Sequence, residues 1–121
     1  MIRVFLAGGQ PEVRSALRLL LQDLGMKVVG VAINWPATLA QAERTHPDMV
    51  LVDWELIPKG SSLHELRATF PIAVVIVLIS HLAARHQAAL SAGADSFISK
   101  SDTPDRVVER LLTAAANGRL P

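Results

Sequence analysis

The sequence predicts an α/β protein built as a five-stranded, doubly wound parallel sheet. Five short runs rich in valine and isoleucine alternate with segments of helical periodicity, which predicts a (βα)5 chain. Several of these runs are apolar almost continuously, as is typical of parallel strands that are covered on both faces. The 121 residues suffice for one complete hydrophobic core and are too few for two.

The five apolar runs are the predicted strands. Right-handed helical crossovers between them would form a single sheet, most simply in the strand order 2-1-3-4-5. The predicted strands are residues 2–7, 27–32, 49–53, 73–80 and 96–98.

The first helix is predicted to begin at Pro11, which suits a first helical position, and to stop at Gly25. Arg14, Arg18 and Gln22 fall off its apolar stripe, so we expect them on the surface. The stripe recurs at steps of three and four residues and consists of Val13, Ala16, Leu17, Leu20, Leu21 and Leu24.

Prolines and glycines mark the limits of the next three predicted helices. The second begins near Pro36 and ends before Pro47. The third covers roughly residues 62–69. The fourth covers roughly residues 84–91 and is closed by Gly93.

In the fifth predicted helix, Thr103 is the N-cap, Pro104 lies in the first turn and Gly118 ends the helix. We therefore expect one domain over residues 1–118, with 119–121 as a tail or the start of a linker. The predicted inner stripe of this helix is Val108, Leu111, Leu112 and Ala115.

Composition excludes several classes of protein. Half of the residues are apolar and 19% are charged, so the chain should fold. A net charge of +1 gives no electrostatic case for direct binding to nucleic acid or to an anionic membrane. The absence of cysteine excludes disulfides and thiolate metal sites. The longest apolar run, residues 72–79, is far too short to span a membrane, and we expect a cytoplasmic protein.

Four of the predicted strands end in residues that could form a site. The carboxyl ends of parallel strands meet at one edge of the sheet, where ligands of this fold class bind. A lone Asp–Lys pair there is a common structural feature, but a carboxylate, a hydroxyl and an ammonium together form a small polar site. The residues at these strand ends are Gly8, Gly9, Asp53, Ser80 and Lys100.

From about residue 2 to residue 118, the chain resembles the receiver domain of bacterial two-component response regulators, which has a flavodoxin-like fold. The stretches that carry the resemblance are MIRVFLAGGQPEVRSALRLLLQDLG, HPDMVLVDWEL, VVIVLIS, AGADSFISK and SDTPDRVVERLLTAAANG. The resemblance implies that Asp53 stands at the position of the phosphoryl acceptor. It also implies that Ser80 and Phe97 are the switch residues and that Lys100 contacts the phosphate. The last stretch is similar to receivers that precede a helix-turn-helix output domain, so a downstream DNA-binding domain is an expected partner.

The positions of Gly8 and Gly9 carry two acidic residues in that family, and with the acceptor aspartate these acids hold Mg²⁺. Here Asp53 and Lys100 leave one negative and one positive charge, which cancel. Since Mg²⁺ needs several hard oxygen ligands in octahedral array, we expect its binding to be weak or absent. The metal neutralises charge that develops on the transferred phosphoryl oxygens, and this neutralisation is most of what catalyses the step. We therefore expect a pseudo-receiver, a signalling module that is not an enzyme and works without aspartyl phosphorylation.

Further departures from the family pattern concern access to Asp53. Pro58 lies five residues after Asp53, where the family has a proline at four, so the loop is one residue longer. His81 follows the switch hydroxyl, where the family commonly has a small residue, and would narrow the approach. Glu55 could supply a replacement carboxylate for a metal. A conventional receiver phosphorylated at Asp53 therefore remains the alternative.

The glycine pair also leaves room for a small anion or metabolite held by Lys100, Ser80 and the Gly9 amide. The corner does not match the G-x-G-x-x-G fingerprint of dinucleotide binding. An unrelated enzyme or nucleotide binder is disfavoured, since the chain shows neither a phosphate loop nor a nucleophile–base pair.

The resemblance also implies an interaction face made of the fourth helix, the fifth strand and the fifth helix, where such receivers dimerise or meet partners. Its predicted residues are Arg85, Gln87, Asp95, Phe97, Arg106 and Arg110. Of the two tryptophans, Trp35 is expected in a loop with an exposed indole, and Trp54 is expected to pack beside the site.

Overall fold

The computed structural model of the protein describes residues 1–58, 63–69, 72–79 and 94–116. Several predicted features lie outside the described residues. They are Ser80, His81, Arg85, Gln87, the helix at 84–91, Gly93 and Gly118.

The five strands form one parallel sheet in the order β2-β1-β3-β4-β5, which confirms the predicted fold class and strand order. The central strand β3 and its neighbour β4 are buried along their whole length, because helices cover both faces of the sheet. The strands are β1 (Arg3–Ala7), β2 (Lys27–Ala32), β3 (Met49–Asp53), β4 (Val74–Ile79) and β5 (Ser96–Ser99). Each lies within one residue of its predicted limits.

Four helices and one 3₁₀ turn are described. Within the described ranges, no helix is both long enough and apolar enough to cross a membrane. The elements are α1 (Pro11–Asp23), α2 (Trp35–Thr45), the 3₁₀ turn (Trp54–Leu56), α3 (Leu63–Thr69) and the C-terminal helix (Pro104–Ala116).

The helix ends follow local chemistry. Pro11 is the first residue of α1, and Gly25 after its end has φ of 75°, a conformation that suits glycine. Asn34 caps α2, since its side-chain oxygen accepts a hydrogen bond of 2.8 Å from the amide of Ala37. Thr103 caps the C-terminal helix as predicted, through a bond of 3.3 Å from the amide of Arg106.

The sheet separates two hydrophobic clusters, because successive strand residues point to opposite faces. One face packs against α2 and α3, and the other packs against α1 and the C-terminal helix. The first cluster includes Phe5, Val50, Val52, Leu66, Val75 and Val77. The second includes Leu6, Leu17, Leu21, Leu51, Ile76 and Leu111.

The inner stripe of the C-terminal helix differs from the prediction. Leu111 is buried as expected, but Leu112 is 49% exposed, and the buried row also contains Val107 and Ala114. The predicted members Val108 and Ala115 are only half-buried. The stripe is therefore rotated by about one residue. Two adjacent leucines fit the helical period equally well, and only packing against the sheet decides which one is buried.

Trp35 is also placed differently from the prediction. It is the first residue of α2 and is 8% exposed within the first cluster. Because Asn34 caps the helix one residue earlier than Pro36 suggests, Trp35 joins the helix instead of the loop. Trp54 is half-buried and packs against the same cluster, as expected.

Candidate functional site

The carboxyl edge of the sheet brings three of the predicted site residues close together. Gly8 follows β1, Asp53 ends β3 and Lys100 follows β5. Backbone hydrogen bonds extend the sheet to two of them, because the Gly8 amide donates to Ala32 at 3.0 Å and the Lys100 amide donates to Ile79 at 2.8 Å. The position of these residues is therefore set by the sheet.

Both carboxylate oxygens of Asp53 have partners within the protein. Its side chain is only 6% exposed, and Oδ2 lies 2.6 Å from Nζ of Lys100. Oδ1 accepts a hydrogen bond of 3.0 Å from the amide of Glu55, so Asp53 also caps the 3₁₀ turn. A charge buried to this extent needs such pairing.

Lys100 is held between two side chains. Besides its ion pair with Asp53, its Nζ donates a hydrogen bond of 3.0 Å to Oε1 of Gln10. Gln10 is the N-cap residue of α1, yet its side chain makes no capping hydrogen bond. It therefore joins the start of α1 to the end of β5 at the site.

Arg14 is a site residue that the sequence analysis placed on the surface. Its Nη1 donates a hydrogen bond of 2.6 Å to the carbonyl of Gly8, and the side chain is half-buried. The signal in the sequence is its position as the fourth residue of α1. A cation near a helix N-terminus is unfavourable unless it has another partner, so Arg14 could have been expected to make a further contact. The site therefore contains two cationic side chains, Lys100 and Arg14.

The two glycines are not required by backbone conformation or by close packing. Neither has a positive φ. A Cβ at Gly8 would lie 3.6 Å from Cβ of Asp53, and a Cβ at Gly9 would lie 3.9 Å from the carbonyl oxygen of Ile33, both ordinary contact distances. Gly8 is buried beside Asp53 and Gly9 is exposed. A Cβ at either position would therefore make only ordinary contacts.

The described residues do not fit the Mg²⁺ ion that the resemblance implies. Among these residues, no group of three or more His, Cys, Asp or Glu side chains could hold a metal. The cavity beside Asp53, which Gly8, Gln10 and Arg14 also line, has a volume of about 10 Å³. Its lining is mostly apolar, so it offers few of the oxygen ligands that Mg²⁺ needs. Glu55 lies exposed on the 3₁₀ turn beside this corner.

The predicted switch aromatic contacts the C-terminal helix. Phe97 is half-buried in β5, and the guanidinium carbon of Arg110 lies 4.8 Å from the centre of its ring, a cation–π distance. Nε of Arg110 is 3.8 Å from Oδ2 of Asp102, which also accepts a hydrogen bond of 3.1 Å from the amide of Ser99. These contacts join the C-terminal helix to the segment that carries Lys100.

Two charged residues predicted for the interaction face differ in their surroundings. Asp95 forms an ion pair of 2.7 Å with Arg67 and accepts a hydrogen bond from the amide of Val75. It therefore has a structural role at the sheet edge. Arg106 has a side chain that is 53% exposed and lies 4.0 Å from Glu109 on the same helix, so it remains accessible.

Comparison with known proteins agrees with the fold. The family model described as the response regulator receiver domain matches residues 4–112. No curated protein matches the chain in sequence.

Three solved structures illustrate the likeness. A two-component response regulator of the LuxR family from Aurantimonas sp. SI85-9A1 is 26% identical, with a TM-score of 0.82 over 98% of this chain and 88% of that one. The signal receiver domain of NarL from Mycobacterium tuberculosis is 26% identical, with a TM-score of 0.79 over 95% and 96%. RcsB from Salmonella enterica serovar Typhimurium, bound to promoter rprA with the phosphomimetic BeF3⁻, is 20% identical, with a TM-score of 0.83 over 99% and 64%. The fold, the strand order and the family match together place this chain in the response regulator receiver domain family of two-component signalling.

Proposed function

We propose that this chain is a pseudo-receiver, a signalling module that acts through protein contacts and without Mg²⁺-dependent phosphorylation of Asp53. One observation carries the proposal. The carboxylate at the acceptor position is paired with Lys100 and the Glu55 amide, and glycines occupy the two positions where the family has acids. The module is proposed as a signalling component and not as an enzyme.

Electrostatics supports this proposal. Asp53 is neutralised by Lys100, and Arg14 adds a second positive charge to the corner. A divalent cation entering there would have to displace Lys100 from Asp53, beside the Gly8 carbonyl to which Arg14 is bound. Repulsion between like charges is stronger in a partly buried site than in water, because the effective dielectric constant is lower.

The other positions that the family resemblance singles out are proposed to keep their roles as switch residues and as a contact surface. Phe97, with Arg110 over its ring, is the proposed aromatic switch, and Ser80 is the proposed switch hydroxyl. We propose an output domain, which could bind DNA, as the downstream partner, in line with the LuxR-family relative and with RcsB on its promoter. The face around β5 and the C-terminal helix is the proposed surface for a homodimer or a protein partner.

A conventional receiver remains the second candidate, on the position of Glu55. Its amide donates a hydrogen bond to Asp53, and its side chain lies exposed on the 3₁₀ turn beside the acceptor. In this alternative, Glu55 partly replaces the missing acids and Asp53 accepts the phosphoryl group. A small anion at the same corner is less favoured, because Lys100 would have to exchange Asp53 and Gln10 for it.

The fluorescence of Trp54 provides the test. In a Trp35→Phe background, Trp54 is the only tryptophan and lies next to Asp53. We expect no saturable response to millimolar Mg²⁺ or to beryllofluoride in this parent. We also expect no acyl phosphate on Asp53 after incubation with acetyl phosphate, as measured by intact-protein mass. A saturable response, or a mass increase that Asp53→Asn abolishes, would contradict the proposal.

Two further variants separate the candidates. Gly8→Asp/Gly9→Asp should gain a Mg²⁺ response, whereas Gly8→Asn/Gly9→Asn, which has nearly the same shape and no added charge, should not. If the parent responds to Mg²⁺ and Glu55→Gln removes the response, the conventional receiver is the correct function.

A further inference from the structure

We infer that the apolar groove between α1 and the C-terminal helix is a binding site for a small amphipathic cation, an apolar molecule that carries one protonated amine. The inference goes beyond the proposed function, because it requires neither a metal nor any chemistry at Asp53. Two features of the groove carry it, namely its apolar lining and the balance of its charged residues.

The groove has the size and the lining of a ligand site. Its volume is about 280 Å³, close to the lower end of the range for small-molecule pockets. Leu78 of β4 and Ile98 of β5 form its floor and are only 4% and 2% exposed. The two helices supply apolar walls, from Leu17 and Leu20 on α1 and from Val107 on the C-terminal helix. An apolar molecule in the groove would therefore be removed from water on several sides.

The charged residues of the groove leave one negative charge unbalanced. Glu12, Lys100 and Asp102 line it. Nζ of Lys100 is paired with Asp53 at 2.6 Å, and Oδ2 of Asp102 lies 3.8 Å from Nε of Arg110. Among the residues that the structure describes, Glu12 forms no ion pair. One carboxylate is therefore in excess, whether or not the partners Asp53 and Arg110 are counted.

This balance favours a cationic ligand over an anionic one. An anion would meet the carboxylates of Glu12 and Asp102, and Lys100 could bind it only by leaving Asp53, whose side chain is 6% exposed. An ammonium can pair with Glu12 while the other ion pairs stay in place. The helix dipole does not oppose this, because Asp105 in the first turn of the C-terminal helix offsets its positive end. A charge-assisted hydrogen bond to Glu12 would also orient the ligand.

Three probes of nearly equal shape test the charge of the ligand: phenylbutylamine, phenylbutanol and phenylbutyrate. Each is titrated into the full chain at neutral pH, and two-dimensional NMR of labelled methyl groups gives the Kd and the place of binding. We expect saturable shifts at Leu17, Leu78 and Ile98. The amine should bind about tenfold more tightly than the alcohol, and the carboxylate should bind more weakly than the alcohol. Equal Kd values for amine and alcohol, or no saturable binding of the amine, overturn the inference.

A variant that fills the groove tests the place of binding. Ala16→Phe enlarges an exposed residue of α1 that lines the groove, and it should weaken binding of the amine about tenfold. Ala40→Phe is the same change at an exposed residue of α2, on the opposite face of the sheet, and should leave the Kd unchanged. Far-UV circular dichroism checks that both variants are folded. An unchanged Kd in Ala16→Phe would show that the amine binds elsewhere and would overturn the inference.

A second variant tests the counter-ion. Glu12→Gln should raise the Kd of the amine about tenfold, to the value for the alcohol, and leave the Kd of the alcohol unchanged. Glu65→Gln is the same change at an exposed residue in the first turn of α3 and should alter neither value. An equal effect of the two variants would contradict the inference. Equally weak binding of all three probes would also contradict it, and would indicate an apolar surface of the kind that a protein helix covers.

Discussion

Nζ of Lys100 lies 2.6 Å from Oδ2 of Asp53, and the aspartate is the more buried partner, with 6% of its side chain exposed against 19% for the lysine. The pair joins β3 to the segment after β5, across the intervening strand β4. It therefore fixes the geometry of the candidate site. Because the two charges are unequally buried, removing one of them should lower the free energy of unfolding more than removing the other.

Lys100→Met should lower the free energy of unfolding more than Asp53→Asn. The first change leaves a nearly buried carboxylate without its counter-ion, and we expect a loss of about 3 kcal/mol. The second leaves the better-solvated ammonium, and the asparagine oxygen can still accept from the Glu55 amide, so we expect a loss of about 1 kcal/mol. Urea denaturation at neutral pH measures both values.

The double variant is the control for this pair. If the two charges act on one another, Asp53→Asn/Lys100→Met should lose less stability than the sum of the single losses. Additive losses, or a larger loss for Asp53→Asn, would show that the ion pair does not govern the stability of this edge.

The strands and the convergence of Asp53 and Lys100 could be predicted from the sequence. Runs of valine and isoleucine that are buried on both faces define the strand limits to within one residue. The topology then requires the strand ends to meet at one edge. These features depend on local pattern and on chain connectivity, both of which are visible in the sequence.

The roles of Arg14, Gln10 and Trp35 could not be predicted in the same way. Periodicity places Arg14 off the apolar stripe, but it does not show that a long side chain reaches back to the Gly8 carbonyl. The Gln10–Lys100 bond joins residues at opposite ends of the chain. The helical position of Trp35 depends on the cap at Asn34, which begins α2 one residue before Pro36. Each is set by tertiary contacts that a local pattern does not contain.

The orientation of the C-terminal helix leads to a second prediction. Leu111→Ala removes a side chain that is fully buried against the sheet, and it should lower the free energy of unfolding by about 3 kcal/mol. Leu112→Ala, the same change at the neighbouring residue that is 49% exposed, should lower it by less than about 1 kcal/mol. Chemical denaturation of the two variants makes the comparison, and equal losses would contradict the observed orientation.

The contact between Arg110 and Phe97 leads to a third prediction. Arg110→Met removes the cation over the ring and should cost about 0.5–1 kcal/mol of stability. It should also shift the fluorine resonance of fluorophenylalanine at Phe97, assigned through Phe97→Leu, and leave that of Phe5 unchanged. Arg106→Met, on the same helix with an exposed side chain, is the matched control. A shift of equal size in the control would show that the Phe97 signal reports the helix in general and not this contact.

Gly30 in β2 leads to the last prediction, since it packs against the buried ring of Phe5. A Cβ at Gly30 would lie 2.8 and 2.9 Å from two ring carbons of Phe5, which is fully buried. Gly30→Ala should therefore destabilise the protein by about 1–3 kcal/mol, through displacement of the ring or of the strand. Gly9→Ala, where the nearest atom would be 3.9 Å away, should change stability by less than about 0.5 kcal/mol. Thermal and urea denaturation measure both variants. Phe5→Leu in the Gly30→Ala protein should relieve part of the strain and make the two losses less than additive; additive losses would place the strain elsewhere than at the Phe5 ring.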